Sequence, residues 1–194
     1  MIVGDLPADF NPHNDVPIGP WCFAKCEDAY PGWEQRFDFG DPVTDADSAK
    51  DADECLAALA NEMLIGLVEE MNTRHGVAFS SSYWHVLLMR WVLELLAHSY
   101  YRYLEAKRAV TRNREQRLHV AVHRHNHAWE FPTVLDLYKN GFCDEAYNKW
   151  LTGIALRELA CDHVLIHQTP VPATKPQRVE PSAFHNSPTI IRRW

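Results

Sequence analysis

Residues 117–132 read RLHVAVHRHNHAWEFP. Leu118, Val120 and Val122 alternate with His119, Ala121 and His123, and this two-residue period predicts a strand whose successive side chains leave on opposite faces. What lies on either side of that strand decides the class of the domain. Upstream, from Thr44, Leu56, Leu59, Met63, Leu64, Leu67 and Met71 recur at three- and four-residue steps. They follow Asp45, Asp47, Asp51 and Asp53, where a helix amino terminus favours negative charge, and Gly76 is a plausible stop. A second helix opens at Ser80, Ser81 and Ser82, candidate caps, and runs without glycine or proline to Val110. Its apolar residues wrap the cylinder through Leu96, which predicts a central helix contacted from several sides.

Downstream, FPTVLDLYKNGF reads as a short helix ended by Gly141, and Asp144 to Leu159 as another. In CDHVLIHQTPVP, Val164 and Ile166 alternate with Leu165, a further strand. Near the amino terminus, NDVPIGPWCF (residues 14–23) spaces Val16 and Ile18 as a short strand, yet Pro17 and Pro20 lack the N–H that a central ladder position uses. Residues 24–43 have loop chemistry, but Tyr30, Trp33, Phe37 and Phe39 are expected to pack down on the domain. The order strand, two long helices, strand, helices, strand predicts an α/β class: a helix-rich, Rossmann-like domain with a small parallel sheet and two long central helices. One domain is expected over residues 1–169. Residues 170–194, with five prolines and no periodicity, are expected to form an extended tail.

The 194 residues suit one well-buried domain, and the composition, 46% hydrophobic and 23% charged, is that of a folded protein. A net charge of -7 excludes the broad basic footprint that nucleic acid demands. The local cluster of Arg102, Lys107, Arg108, Arg112, Arg114 and Arg117 reads as a solvated helix end. Five irregularly spaced cysteines show no disulfide framework or zinc pattern, which fits a reducing cytoplasm. The most apolar stretch, Tyr83 to Tyr103, is interrupted by charged residues and is no membrane span.

In parallel sheets ligands bind outside the carboxyl ends of the strands. Gly19 to Phe23, His123 to Trp129 and His167 to Pro170 are therefore expected along one edge. The candidate site is a cleft lined by Gly19, Trp21, Cys22, Trp84, His85, His123 and Asn126, with His125 and His127 as catalytic candidates. Trp21 and Trp84 would stack on a ring-shaped ligand, and a histidine near neutral pKa would act as a general base. His119, His123, His125 and His127 share one strand-face parity, which leaves open a metal site or a histidine-dependent metallohydrolase. Side chains two residues apart on a strand stand about 6.5 to 7 Å from each other, a long reach for one zinc, and no metal is expected. Glu145, Asn148 and Lys149 open a helix that can point its amino terminus into the crevice or simply face solvent. No glycine-rich phosphate loop, nucleophile elbow or zinc-protease motif occurs.

Three segments together resemble a family of bacterial transferases of surface-carbohydrate biosynthesis. PIGPWCF is similar to its strand-and-turn LGxWC. HGVAFSSSYWHVLLMRWVLELLAHSYYRYL resembles its long aromatic helix, with Tyr83, Trp84, Trp91 and Arg102 in matching places. FPTVLDLYKNGFCDEAYNKWLTGIALRE is similar to a third segment, with Pro132, Asp136, Asp144, Asn148 and Ile154 in step. The chain departs from the pattern where His85 replaces an arginine and Met89-Arg90 replaces a Gly-Pro pair. The resemblance implies the acceptor-side, amino-terminal half of a two-domain glycosyltransferase of the GT-B type. It implies a glycan acceptor or other small polar ligand, and no cofactor held by this chain, since a nucleotide-sugar donor would need a second domain and the piece alone would be inactive. The competing expectation is a non-catalytic ligand- or protein-binding module, with the tail docking a partner or a second copy.

Overall fold

The computed structural model describes residues 1–40, 43–126, 129, 131 and 133–171. The amino-terminal segment makes a single parallel bridge, Ile2 to Pro17, with Ile18 N–H donating to Ile2 O at 2.9 Å. The chain then turns through a 3-10 helix over Pro20–Phe23. The expected short strand running into a turn keeps its turn, but its strand is reduced to a bridge, because Pro17 and Pro20 offer no N–H to extend a ladder. The loop aromatics pack as expected: Trp33 stacks on fully buried Phe23 at 4.8 Å between centroids, and Phe10, Tyr30, Phe37 and Phe39 close around them.

The regular elements are α1 (Trp33–Arg36), α2 (Ala46–His75), α3 (Ser81–Arg112), β1 (Leu118–His123), α4 (Val134–Leu137), α5 (Glu145–Glu158) and β2 (Val164–Thr169). A π-helical turn over Tyr138–Phe142 follows α4. Asp45 caps α2 reciprocally with Ser48, accepting from its N–H at 2.8 Å while Asp45 N–H donates to Ser48 Oγ at 3.2 Å. Gly76 ends α2 at φ 63°, a left-handed conformation that glycine adopts without a Cβ penalty. Ser80 caps α3 and Asp144 caps α5. The turn between α2 and α3 is clamped by Asn72, whose Oδ1 accepts from Phe79 N–H and from Trp84 Nε1, and whose Nδ2 donates to Phe79 O.

β1 and β2 pair in parallel, Leu118 beside Val164 through His123 beside Thr169. The protein is therefore of the α/β class, helix-rich, with a small two-stranded parallel sheet and two long central helices. Leu118, Val120 and Val122 point into the main core, which also holds Ile18, Phe23, Ala106, Val110 and Leu156. His119 and Ala121 face outward. Parallel strands with a wet face are uncommon, because crossover helices usually cover both sides.

One expectation about α3 is corrected. Its carboxyl-terminal half is central, with Ala106, Ala109 and Val110 buried, and Trp91 and Leu95 pack against Leu137, Tyr147 and Leu151, but its first turns are open on one side, and Val86 is 82% exposed. An all-round apolar pattern requires neighbours on all sides to be buried, and the hairpin of α2 and α3 extends past the sheet that would supply them.

At the seam between α5 and β1, a Cβ added to Gly153 would stand 2.9 Å from both Cβ and Cγ2 of Val122. Gly153→Ala gains up to about 1 kcal/mol of helix propensity, but overpacking against a stiff β-branched side chain costs about 1–3 kcal/mol. The expected result is net destabilisation, read as a lower urea midpoint with an unchanged slope.

Candidate functional site

The amino half of α5 lies at the carboxyl end of β1: Gly153 sits on Val122, and Trp150, three residues earlier, meets the His125 ring at 5.2 Å. Asp5 reaches the first turn of the same helix, its N–H donating to Glu145 Oε1 at 3.2 Å. Lys149 Nζ lies 2.6 Å from Glu145, and Lys25 bridges Asp5 and Glu145. Burial pushes the Glu145 carboxyl up, but hydrogen bonds from Lys149 and at Asp5, with the Lys149 charge, outweigh it and hold the group at about 2.

From this cluster a chain of contacts runs along α3. Asn148 Nδ2 donates to Phe142 O and Asp144 O, which fixes its amide and presents Oδ1 to His98 Nε2 at 2.8 Å. His98 stacks on Phe142 at 4.0 Å between centroids; burial, and secondarily the Arg102 charge, lower its pKa, so the ring is neutral at pH 7. One turn on, Arg102 donates to buried Glu105 at 2.9 Å and lies 4.1 Å from the Trp21 ring centroid, a cation–π contact. Arg102 Nε is buried without a hydrogen-bond partner. Trp21 in turn explains the glycine between two prolines: a Cβ on Gly19 would fall 2.0 Å from the indole, which closes over that backbone.

His123 Nδ1 lies 3.1 Å from Thr169 Oγ1 at the ends of the paired strands. His125 is exposed and rests against Trp129 and Trp150, while Asn126 is half-buried and its carbonyl accepts from Trp129 N–H. His127 lies outside the described residues, as do residues 172–194 of the expected tail. His119 Nδ1 and His167 Nε2, 3.1 Å apart across the strands, share a hydrogen bond on the outer face. The shared parity of the four histidines does not persist, because β1 ends at His123. Among the described residues no three His, Cys, Asp or Glu side chains gather as a metal site.

Three expected lining residues stand elsewhere. Cys22 is fully buried, its Sγ hydrogen-bonded to Ile2 O, and burial pushes the thiol up to about 11, so it faces the core and no crevice. Trp84 is 5% exposed and closes the far end of the α2–α3 hairpin, with exposed His85 beside it. Eighteen residues of helix separate Trp84 from Arg102, which is about 27 Å at 1.5 Å per residue, so Trp21 and Trp84 cannot face one sugar ring. The basic cluster is corrected too: Arg102 is half-buried and paired with Glu105, and Arg108 and Arg112 lie within α3 and reach Asp38 at 3.7 and 2.8 Å. A helical-face reading of residues 102, 105, 108 and 112, three and four apart, carried the only sequence signal for that arrangement.

Arg108, Arg112 and Glu105 line a cavity of about 360 Å³ between α3, the Asp15–Pro20 segment and the loop Arg36–Gly40. Gly19 and Pro20 form its wall toward the strand ends.

The family model described as LIC12162 family transferase matches residues 1–193, and the chain belongs to that family. It is thus a member of a transferase family, as the quoted segments implied. No curated protein matches the chain, and no solved structure does. Among the described residues, no helix is long and apolar enough to cross a membrane.

The ion cluster predicts a pH signature. Glu145 has a folded value below the 4.5 of its ordinary state, so its stabilisation is complete above pH 4.5 and is lost as pH falls toward 2. The side chain is 37% exposed, and solvent screening keeps the effect modest. Glu145→Gln should flatten the loss of stability between those two values in urea melts run as a pH series.

Proposed function

We propose that this chain is the acceptor-side domain of a sugar transferase of surface-carbohydrate synthesis, joined in action by a second domain that binds the nucleotide-sugar donor. The observation that carries this reading is a convergence. Three segments far apart in sequence, each resembling a motif of such transferases, meet at one edge: Trp21 lies over Arg102, and His98, one turn from Arg102, meets Asn148. Ligands of α/β domains bind beside the carboxyl ends of the strands, which His123 and Thr169 close here.

In this reading Gly19 and Trp21 present an aromatic platform to the acceptor sugar, and Asn126 and His123 contribute polar contacts. His125, exposed beside Trp150, accepts the proton of the attacking hydroxyl, assisted by its neighbour His127. The hydroxyl oxygen then bonds the donor's anomeric carbon while the nucleotide departs with the electrons of the bond that breaks. Neutral His98, held by Asn148, stands one turn along α3 from Arg102, which lies against the Trp21 ring. Trp84 and His85, at the far end of the hairpin, take no part.

The test is saturation-transfer NMR on the full chain with neutral sugars: galactose, mannose, glucose and N-acetylglucosamine. Binding of at least one sugar, weakened about tenfold or more by Trp21→Ala, is expected, since an aromatic platform contributes about 1.4 kcal/mol or more. His85→Ala should leave binding unchanged. Absence of binding by all four, or equal binding by the Trp21 variant, would overturn the assignment.

A further inference from the structure

The cavity under the Arg36–Gly40 loop is unexplained by the acceptor edge. In a chain of net charge -7 it gathers three guanidinium groups, Arg36, Arg108 and Arg112, with His13 at the rim. Their acidic counterweights are mostly engaged. Glu105 is taken by Arg102, and Asp15 accepts the Asn11 backbone N–H. Among the described residues the acid that answers the arginines is Asp38, which also accepts from Arg112 through its main-chain carbonyl. Its carboxylate lies 2.8 Å from Arg112 and 3.7 Å from Arg108, while its own side chain is 77% exposed. An exposed carboxylate spanning two guanidiniums occupies the place that an external oxyanion would prefer, and a surface pair of this kind is held by about 1 kcal/mol or less. Arg36 forms no salt bridge among the described residues.

The loop is shaped for close approach. Gly40 has φ 47°, and a Cβ there would lie 2.1 Å from an Arg108 terminal nitrogen, so the absence of a side chain lets the guanidinium pack directly against the loop backbone. Amide side chains at Asn14, Asn113 and Gln116, with Tyr101, complete the lining. These are groups that recognise hydroxyls, and the volume of about 360 Å³ suits one small organic molecule.

We infer that this cavity binds the phosphate of a small phosphorylated metabolite, with Arg36, Arg108 and Arg112 on the phosphate and the amide side chains on its hydroxyl-bearing body. Planar guanidiniums match phosphate oxygens in bidentate geometry, and Asp38 yields its two partners when the phosphate enters. The phosphate belongs to a sugar phosphate or to a nucleotide, and the ligands tested separate the two.

Isothermal titration of the full chain with glucose 1-phosphate, UDP and inorganic phosphate tests the site. Binding of one of the organic phosphates at about 1 mM or tighter, competed by inorganic phosphate, is expected; glucose 1-phosphate alone assigns a sugar phosphate and UDP alone a nucleotide. Arg36→Gln should weaken binding about tenfold, the loss of a charge-assisted hydrogen bond. Asp38→Asn should strengthen it, by up to about fivefold, because the competing carboxylate is gone. Arginines that serve only to tie the loop to α3 predict no binding, or a weakening by both variants. Either of those results overturns the inference, as does retention of inorganic phosphate only. Circular dichroism of each variant confirms folding, and galactose binding at the Trp21 edge is read separately, so failure here does not count against the acceptor reading.

Discussion

The largely desolvated ion pair of half-buried Arg102 and buried Glu105 is the constraint on which the rest of this structure depends. Their side chains are 15% and 8% exposed, and removing water from two charges costs several kcal/mol each unless the pair is well made. The indole of Trp21 supplies a second partner for the guanidinium, worth about 2 kcal/mol when desolvated. Breaking such a pair by deleting one member costs about 3–5 kcal/mol, because the survivor stays buried and uncompensated. Arg102 therefore needs Trp21, and Trp21 needs a glycine at 19 and the 3-10 turn that begins at Pro20. One residue of α3 thereby anchors the amino-terminal segment, one wall of the cavity and one end of the edge proposed to take the acceptor.

That arrangement explains what was readable in advance. The helix limits rest on local chemistry, and Asp45, Gly76, Ser80 and Asp144 act within four residues of themselves, so a linear reading finds them. The strands are legible because Leu118, Val120 and Val122 alternate against histidines with a period that no helix shares. The class of the domain follows from the order of those elements. The transferase resemblance was carried by short motifs whose order along the chain matters more than any one of them.

The site was only partly legible, for a physical reason. Trp21 and Trp84 have the same chemistry in the sequence, yet one crosses Arg102 and the other locks a distant turn to Asn72; only the length of α3 distinguishes them. Cys22 follows Trp21 directly, but in a 3-10 turn adjacent side chains point in different directions, and this one points inward. The arginines looked like a solvated run because charge runs usually are. Their acids come from 70 or more residues away, as with Asp38 and Arg108, or from the same helix, and neither source shows as a local pattern. The histidine parity failed for the opposite reason: it assumed a strand that ends before the second half of the pattern begins.

The seam where α5 meets β1 has an evolutionary corollary. With no room for a methyl group between positions 153 and 122, a larger residue at the first can be accepted only beside a smaller one at the second. Descendants of this chain are expected to change both sites together or neither, and the helix has no lateral play over the strand whose end it frames.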